Sequence, residues 1–166
     1  MKIVGPIDAA WVLIESAHNR MHVGCVQIFA LPEGSRQDYV RRLVASLRRP
    51  RPLASPYSHK LSSWALHAVL PAWVEDPQVD FDYHVQHARL PAPGGEAELN
   101  ALLAELHATS LDMTRPLWEC HVIEGLERNR FALFMKIHHS LMDGVAGMRL
   151  LRDGLSADPQ RRRMPA

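Results

Sequence analysis

Apolar residues recur along this chain with two periods. At 36–49, Tyr39, Val40, Leu43, Val44 and Leu47 fall three or four positions apart, so the spacing predicts an amphipathic helix. The same spacing returns at 96–110 in Leu99, Leu102, Leu103 and Leu106, with Glu96 and Glu98 at the start, where the helix dipole favours acid. A shorter helix is predicted at 6–16: Pro6 suits a first turn, and Ile7, Ala10, Trp11 and Ile14 share one face. Between the helices lie stretches of strand character. At 21–31 both alternating sets are apolar, in Val23, Cys25, Val26, Ile28 and Phe29, which predicts a strand covered on both faces. A strand with a bend at Ser62 and Ser63 is predicted at 59–70, followed by a short connector at 73–77. At 81–90, Tyr83, Val85 and His87 alternate with Asp82, His84 and Gln86, again a strand. From Trp118, the set Trp118, Cys120 and Val122 alternates with Glu119, His121 and Ile123. A turn at 125–129 then leads into Phe131, Ala132, Leu133, Phe134, Met135 and Ile137, a buried strand placed to form a hairpin with the one before it. The proline-rich 50–58 and the stretch 91–95 read as loops. No Lys-Ser/Thr follows Gly94 and Gly95, so a phosphate cradle is not the preferred reading there. The sum is one chain of interleaved helices and strands. One domain is expected at 1–155, with 156–166 a polar tail or truncated linker.

Composition narrows the function more than the fold. A chain of 166 residues is one domain's worth and long enough to bury a core. A net charge of +1 gives no electrostatic case for nucleic acid. No apolar run approaches the ~20 residues of a membrane span, and the opening Met1, Lys2, Ile3, Val4, Gly5, Pro6 has no secretory apolar region, so a cytoplasmic location is expected. Cys25 and Cys120 are too far apart for a zinc spacing and too few for a disulfide framework; they read as buried thiols. Ten histidines are many; apart from the adjacent pair His138 and His139 they are scattered, and most of those eight read as surface or loop residues. His18 and His22 are four apart, but His22 falls at a strand start and no HExxH context surrounds them, so no metal site is expected.

The candidate chemistry sits at 130–155. There the buried strand feeds a helix marked by Leu141, Val145, Met148 and Leu151, through the connection His138, His139, Ser140, Leu141, Met142, Asp143, Gly144. Strand ends are where rigid structure hands side chains to a loop. A neutral imidazole is the best side-chain base near neutral pH, since its ordinary pKa is about 6.5. It needs a fixed direction, which a neighbour locked by the strand can supply. Asp143 can brace the turn, and Gly144 keeps bulk away from the ring. The bland alternative is a strand end with one ring packed and one solvated, then an Asp-Gly turn. Spacing alone leaves both readings open.

HHSLMDG resembles the HHxxxDG motif of the CoA-dependent acyltransferase superfamily. Further blocks resemble the bacterial wax ester synthase/diacylglycerol acyltransferase family: GPIDAAWVLIES as its N-terminal helix, RMHVGCVQIF as its first strand, and the stretch ending in PLWECHVIEGL, with its PLW element at Pro116, Leu117 and Trp118. The likeness covers about residues 5–155. It implies an α+β fold, a chloramphenicol acetyltransferase-like half domain with a mixed β-sheet and packed helices, one of two related halves that enclose a tunnel for acyl-CoA and a hydroxyl acceptor. His139 is then the general base that activates a long-chain alcohol or diacylglycerol, giving wax ester or triacylglycerol. His138 and Asp143 hold the loop, Asp143 by pairing with an arginine, for which Arg20 and Arg115 are the candidates. Gly144, Pro116, Leu117 and Trp118 support the motif. Acyl-CoA is a co-substrate, and neither cofactor nor metal is implied.

The arginines Arg36, Arg41, Arg42, Arg48 and Arg49 read as a solvated helix face, the alternative being contact with an acidic membrane or CoA phosphates. Family members are considerably longer, and the missing part is the C-terminal half. The expectation is therefore a catalytic base with little turnover in the isolated chain. An exposed inter-half surface favours a homodimer, and lipid substrates imply peripheral association with membrane or lipid inclusions. Two competing readings stand beside this one: a non-catalytic acyl-CoA-binding half domain, and a condensation-like enzyme of the same superfamily.

Overall fold

The computed structural model describes residues 2–62 and 71–142. Asp143, Gly144, the predicted motif helix, the 156–166 tail and the second part of the predicted 59–70 strand lie outside the described residues.

In chain order the elements are β1 (Lys2–Ile3), α1 (Pro6–Ile14), β2 (His22–Ala30), α2 (Tyr39–Leu47), β3 (His59–Leu61), β4 (Ala72–Glu75), α3 (Phe81–His84), β5 (Val85–Arg89), α4 (Glu96–Ala108), β6 (Trp118–Leu126) and β7 (Arg130–His138). The main sheet runs β2-β7-β6-β5, and a small sheet runs β1-β4-β3. β6 and β7 form the expected antiparallel hairpin; β2 pairs antiparallel with β7, and β5 parallel with β6. The parallel pair needs a crossover, which α4 supplies.

Each face of the main sheet takes one amphipathic helix. The predicted stripe of α2 packs on Trp118, Cys120, Val122, Phe131, Leu133, Met135 and Ile137. The predicted stripe of α4 packs on the opposite face, against Leu90, Ile123, Leu126, Ala132 and Phe134. A third cluster joins the small sheet to α1 through Val4, Leu61, Leu111 and Leu117, with Ala9, Val12 and Trp73 against them.

Four expectations need correction. β2 is not covered on both faces: Val23, Val26 and Ile28 are 38%, 41% and 46% exposed. The physical reason is position. β2 is an edge strand, and the two helices centre on β6 and β7. α1 packs through Ala9 and Val12, while Ile7 and Ile14 of its predicted stripe are exposed. The 73–77 connector is instead β4, whose Trp73 pairs with both Lys2 and Leu61. The 81–90 strand is α3 followed by β5, because Asp80 caps a helical turn: its Oδ1 accepts the Tyr83 N–H at 3.1 Å. Outside the motif, His22, His84 and His121 are the buried histidines among the described residues; His18, His59, His87 and His107 are exposed or half-buried.

The 91–95 loop has a packing role. Gly94 has φ +75° and sits so close to the Gly125 carbonyl that a Cβ would fall 1.9 Å from its oxygen. Gly94→Ala combines left-handed strain with overpacking, and is expected to cost about 2–4 kcal/mol. A urea titration checks this: the midpoint should fall with an unchanged slope.

Candidate active site

β2 and β7 align so that His22 faces His138 and Val23 faces Ile137. One step beyond the strand, the His139 N–H donates to the Met21 carbonyl at 2.8 Å. The ladder thus carries the paired histidines to its last rung, and their side chains have different surroundings.

His138 is wholly buried. Its backbone N–H donates to the Leu117 carbonyl at 3.0 Å, and the Leu141 N–H returns to its carbonyl at 3.0 Å, closing a tight turn. The Ser140 N–H donates to His138 Nδ1 at 3.1 Å, and Ser140 Oγ lies 2.7 Å from the same atom. A backbone N–H can only donate, so Nδ1 is the bare nitrogen and the neutral ring carries its proton on Nε2. Burial, with repulsion from the His22 and His139 rings added, pulls the imidazole down to about 4.

That shift has a consequence for stability. The unfolded chain binds this proton near pH 6.5 and the folded chain only near 4, so stability is full above 6.5 and declines as pH falls between the two values. The loss attributable to His138 is about 3 kcal/mol, and His22 and His84, both lowered chiefly by burial, act in the same direction. Urea midpoints at pH 7.5 and 4.5 should differ by an amount that His138→Asn reduces.

His139 is half-buried, and its ring stacks on Trp11 of α1, with centroids 4.9 Å apart and planes at 24°. One helical turn further on, Glu15 approaches the other histidine. Its Oε2 is 3.5 Å from His138 Nε2 and also accepts the Met21 N–H.

The PLW element meets the motif directly. Pro116, Leu117 and Trp118 are all buried. Leu117 supplies the carbonyl that holds the His138 backbone. Trp118 stands opposite Ile137, donates from Nε1 to the Tyr57 carbonyl at 2.9 Å, and stacks on His84 at 4.4 Å. His84 Nδ1 in turn donates to the Trp118 carbonyl at 2.7 Å.

The two arginines considered for Asp143 have other partners. Arg115 pairs with Asp80 at 3.1 Å and Asp112 at 3.3 Å and lies over the Tyr83 ring, while Arg20 donates to Ser110 Oγ at 3.1 Å.

Behind the motif is a buried ion pair. Lys136, fully enclosed, reaches Glu119 Oε2 at 2.9 Å and donates to the Leu106 and Thr109 carbonyls at 3.1 and 3.0 Å, capping the C-terminal end of α4. His121 reaches the same Glu119 oxygen at 3.0 Å. Burial alone would raise the Glu119 carboxyl, but the bonds from His121 and Lys136 outweigh it and hold it below the usual carboxylate range. Among the described residues no group of three or more His, Cys, Asp or Glu is arranged to hold a metal. Burial pushes the Cys120 thiol up to about 11, while Cys25 is only half-buried.

Trp11, Glu15 and Met21 were not among the site residues expected from sequence. The i,i+4 spacing of Trp11 and Glu15 on a helix was legible; that their face meets the paired histidines was not.

A mixed sheet that ends one strand in paired histidines, backed by helices on both faces, is the chloramphenicol acetyltransferase-like half domain of CoA-dependent acyltransferases. The profile of the wax ester synthase/diacylglycerol acyltransferase catalytic domain matches residues 4–166, and the chain belongs to that family. A Mycobacterium tuberculosis protein named as a diacylglycerol O-acyltransferase is 41% identical over 158 residues, 94% of this chain and 35% of its own length. The O-acyltransferase WSD of Acinetobacter baylyi is 38% identical over 159 residues, 95% of this chain and 33% of its own. The solved wax ester synthase/diacylglycerol acyltransferase from Marinobacter aquaeolei VT8 superimposes with a TM-score of 0.90 at 38% identity, over 100% of this chain and 40% of that one. The chain thus spans about a third of the length of these curated relatives.

Proposed function

We propose that this chain is the N-terminal half of an O-acyltransferase that moves a fatty acyl group from acyl-CoA to a long-chain alcohol or diacylglycerol, with His139 as general base. The observation that carries the reading is that the half-buried His139 ring is held in a stack on Trp11 of α1 at the last rung of β7, not left loose in solvent.

The chemistry follows from that ring. A free His139 ring nitrogen takes the proton of the acceptor hydroxyl as its oxygen attacks the thioester carbonyl. The tetrahedral intermediate collapses with cleavage of the carbon–sulfur bond, and the departing CoA thiolate takes the proton back from His139. Nothing is gained or lost overall, and no covalent acyl-enzyme forms. A placed base contributes about 10²- to 10⁴-fold; oxyanion stabilisation and exclusion of water add to it. Trp11 sets the direction of the His139 ring. His138 and the Leu117 carbonyl set the turn, and Asp143 and Gly144 are given the supporting roles that the family motif implies. Acyl-CoA is the co-substrate, and the step needs no metal. The functional unit is 1–155 with 156–166 as linker, completed by a C-terminal half that closes the substrate tunnel or, without one, by a second copy. Work at a membrane or lipid-inclusion surface suits the substrates. Identity of 38–41% to named O-acyltransferases favours this reading over a condensation-like amide former.

The test supplies palmitoyl-CoA with hexadecanol, dipalmitoylglycerol or hexadecylamine, and follows free thiol and product. The chain is assayed alone and with the C-terminal half of the Marinobacter relative added. Ester, without amide, from the complemented chain is expected, with little turnover from the chain alone. Acyl-CoA binding without thiol release in either sample would instead make it a binding module, and amide would make it condensation-like.

A further inference from the structure

α1 presents two side chains one turn apart, and each meets a different histidine. Residues at i and i+4 lie on one helix face. Trp11 stacks on the His139 ring, and Glu15 stands before His138. The Glu15 side chain is 10% exposed. Its Oε2 accepts the Met21 N–H, and the Met21 carbonyl accepts the His139 N–H. One carboxylate therefore touches the backbone rung that carries His139 and faces the ring of His138.

The ring of His138 presents the complementary group. Its Nδ1 is occupied by Ser140, so its proton sits on Nε2, the nitrogen aimed at Glu15. Nε2 is buried and has no hydrogen-bond partner among the described residues, with Glu15 Oε2 3.5 Å away. A buried N–H left unmet is costly, and a shift of about 0.5 Å would bring the carboxylate to ordinary hydrogen-bond distance. The Glu15 φ and ψ of −59° and 129° end the helix at this residue, so the backbone turns away while the side chain stays over the histidines.

We propose that Glu15 is a positioning residue for the acyl transfer: its carboxylate receives the Nε2–H that Ser140 enforces on His138 and, through Met21, fixes the backbone of His139. This rests on His139 being the base. Glu15 itself touches neither substrate nor reacting atom. Its loss lets the 138–141 turn relax and swings the base out of line, so kcat falls while KM is kept. A misplacement near 1 Å can cost up to ~10²-fold.

Two variants and one spectroscopic readout test this in the protein assayed with its C-terminal half. Glu15→Ala is expected to lower kcat by about 10- to 100-fold at unchanged KM. Glu15→Gln keeps an oxygen for both donors and is expected to recover most of that loss. The two-bond nitrogen–proton spectrum of the imidazoles reports the His138 tautomer without any need for turnover. It should show Nε2–H in the wild type and in both variants, with the Nε2 proton resonance shifted upfield in Glu15→Ala and close to wild type in Glu15→Gln. A wild-type ring protonated at Nδ1, or an Nε2 proton resonance that does not move in Glu15→Ala, overturns the proposal whatever the activity. If no variant or wild type turns over but the His138 resonances behave as stated, the positioning of the histidines by Glu15 stands and the transferase reading is what fails.

Discussion

His139→Ala is expected to lower His139-dependent ester formation by about 10²- to 10⁴-fold, with acyl-CoA affinity and melting temperature close to wild type. The geometry gives reasons for both parts. The ring is half-buried, and its contact within the described fold is a stack on Trp11, so its loss opens no cavity in the sheet core. Its backbone bond to Met21 survives the substitution. His138→Ala should behave differently. That ring is enclosed and bonded to Ser140, so the variant loses stability as well as rate. Thiol release and thermal melting measured side by side separate the two histidines. Wild-type rates from His139→Ala would remove the base from the mechanism.

Lys136→Met is expected to destabilise the fold by about 3–5 kcal/mol. The substitution fits the volume but leaves the Glu119 carboxylate buried with only His121 as partner. It also strips two carbonyls at the end of α4 of their donor. Lys136→Met combined with Glu119→Met removes both charges and should recover part of the loss, since an intact buried ion pair is itself worth little against apolar packing. Urea titrations of the three variants are the measurement. A single variant within ~1 kcal/mol of wild type would show that the pair is not desolvated as described.

Periodicity located both main helices and the β6–β7 hairpin because their apolar residues meet the sheet where it is covered on both faces. Leu99, Leu103 and Val44 could be placed from spacing alone. It failed where burial depends on position in the sheet. Val26 and Ile28 look like core residues, but an edge strand leaves them exposed. Tyr83 and His84 alternate like strand residues, but the Asp80 cap turns them into a helix. Of the candidate site, the adjacency of His138 and His139 was visible, and so was the option of one packed ring and one exposed. What meets them was not: Trp11 and Glu15 come from α1, which no local window contains. Lys136 shows the same limit: a lysine inside an apolar run gives no hint that it caps a helix thirty residues earlier.

The pairing of β2 with β7 also bears on how the molecule forms. The hairpin and the crossover through α4 join segments that are neighbours in sequence, and can assemble as they emerge. His22 must wait for His138, almost the whole described chain later, and ring closure over such a distance is slow. The rung that seats His139 on Met21 belongs to this last event. During synthesis, then, the β6–β7 hairpin and the α4 crossover can form before the rung that holds His139 closes.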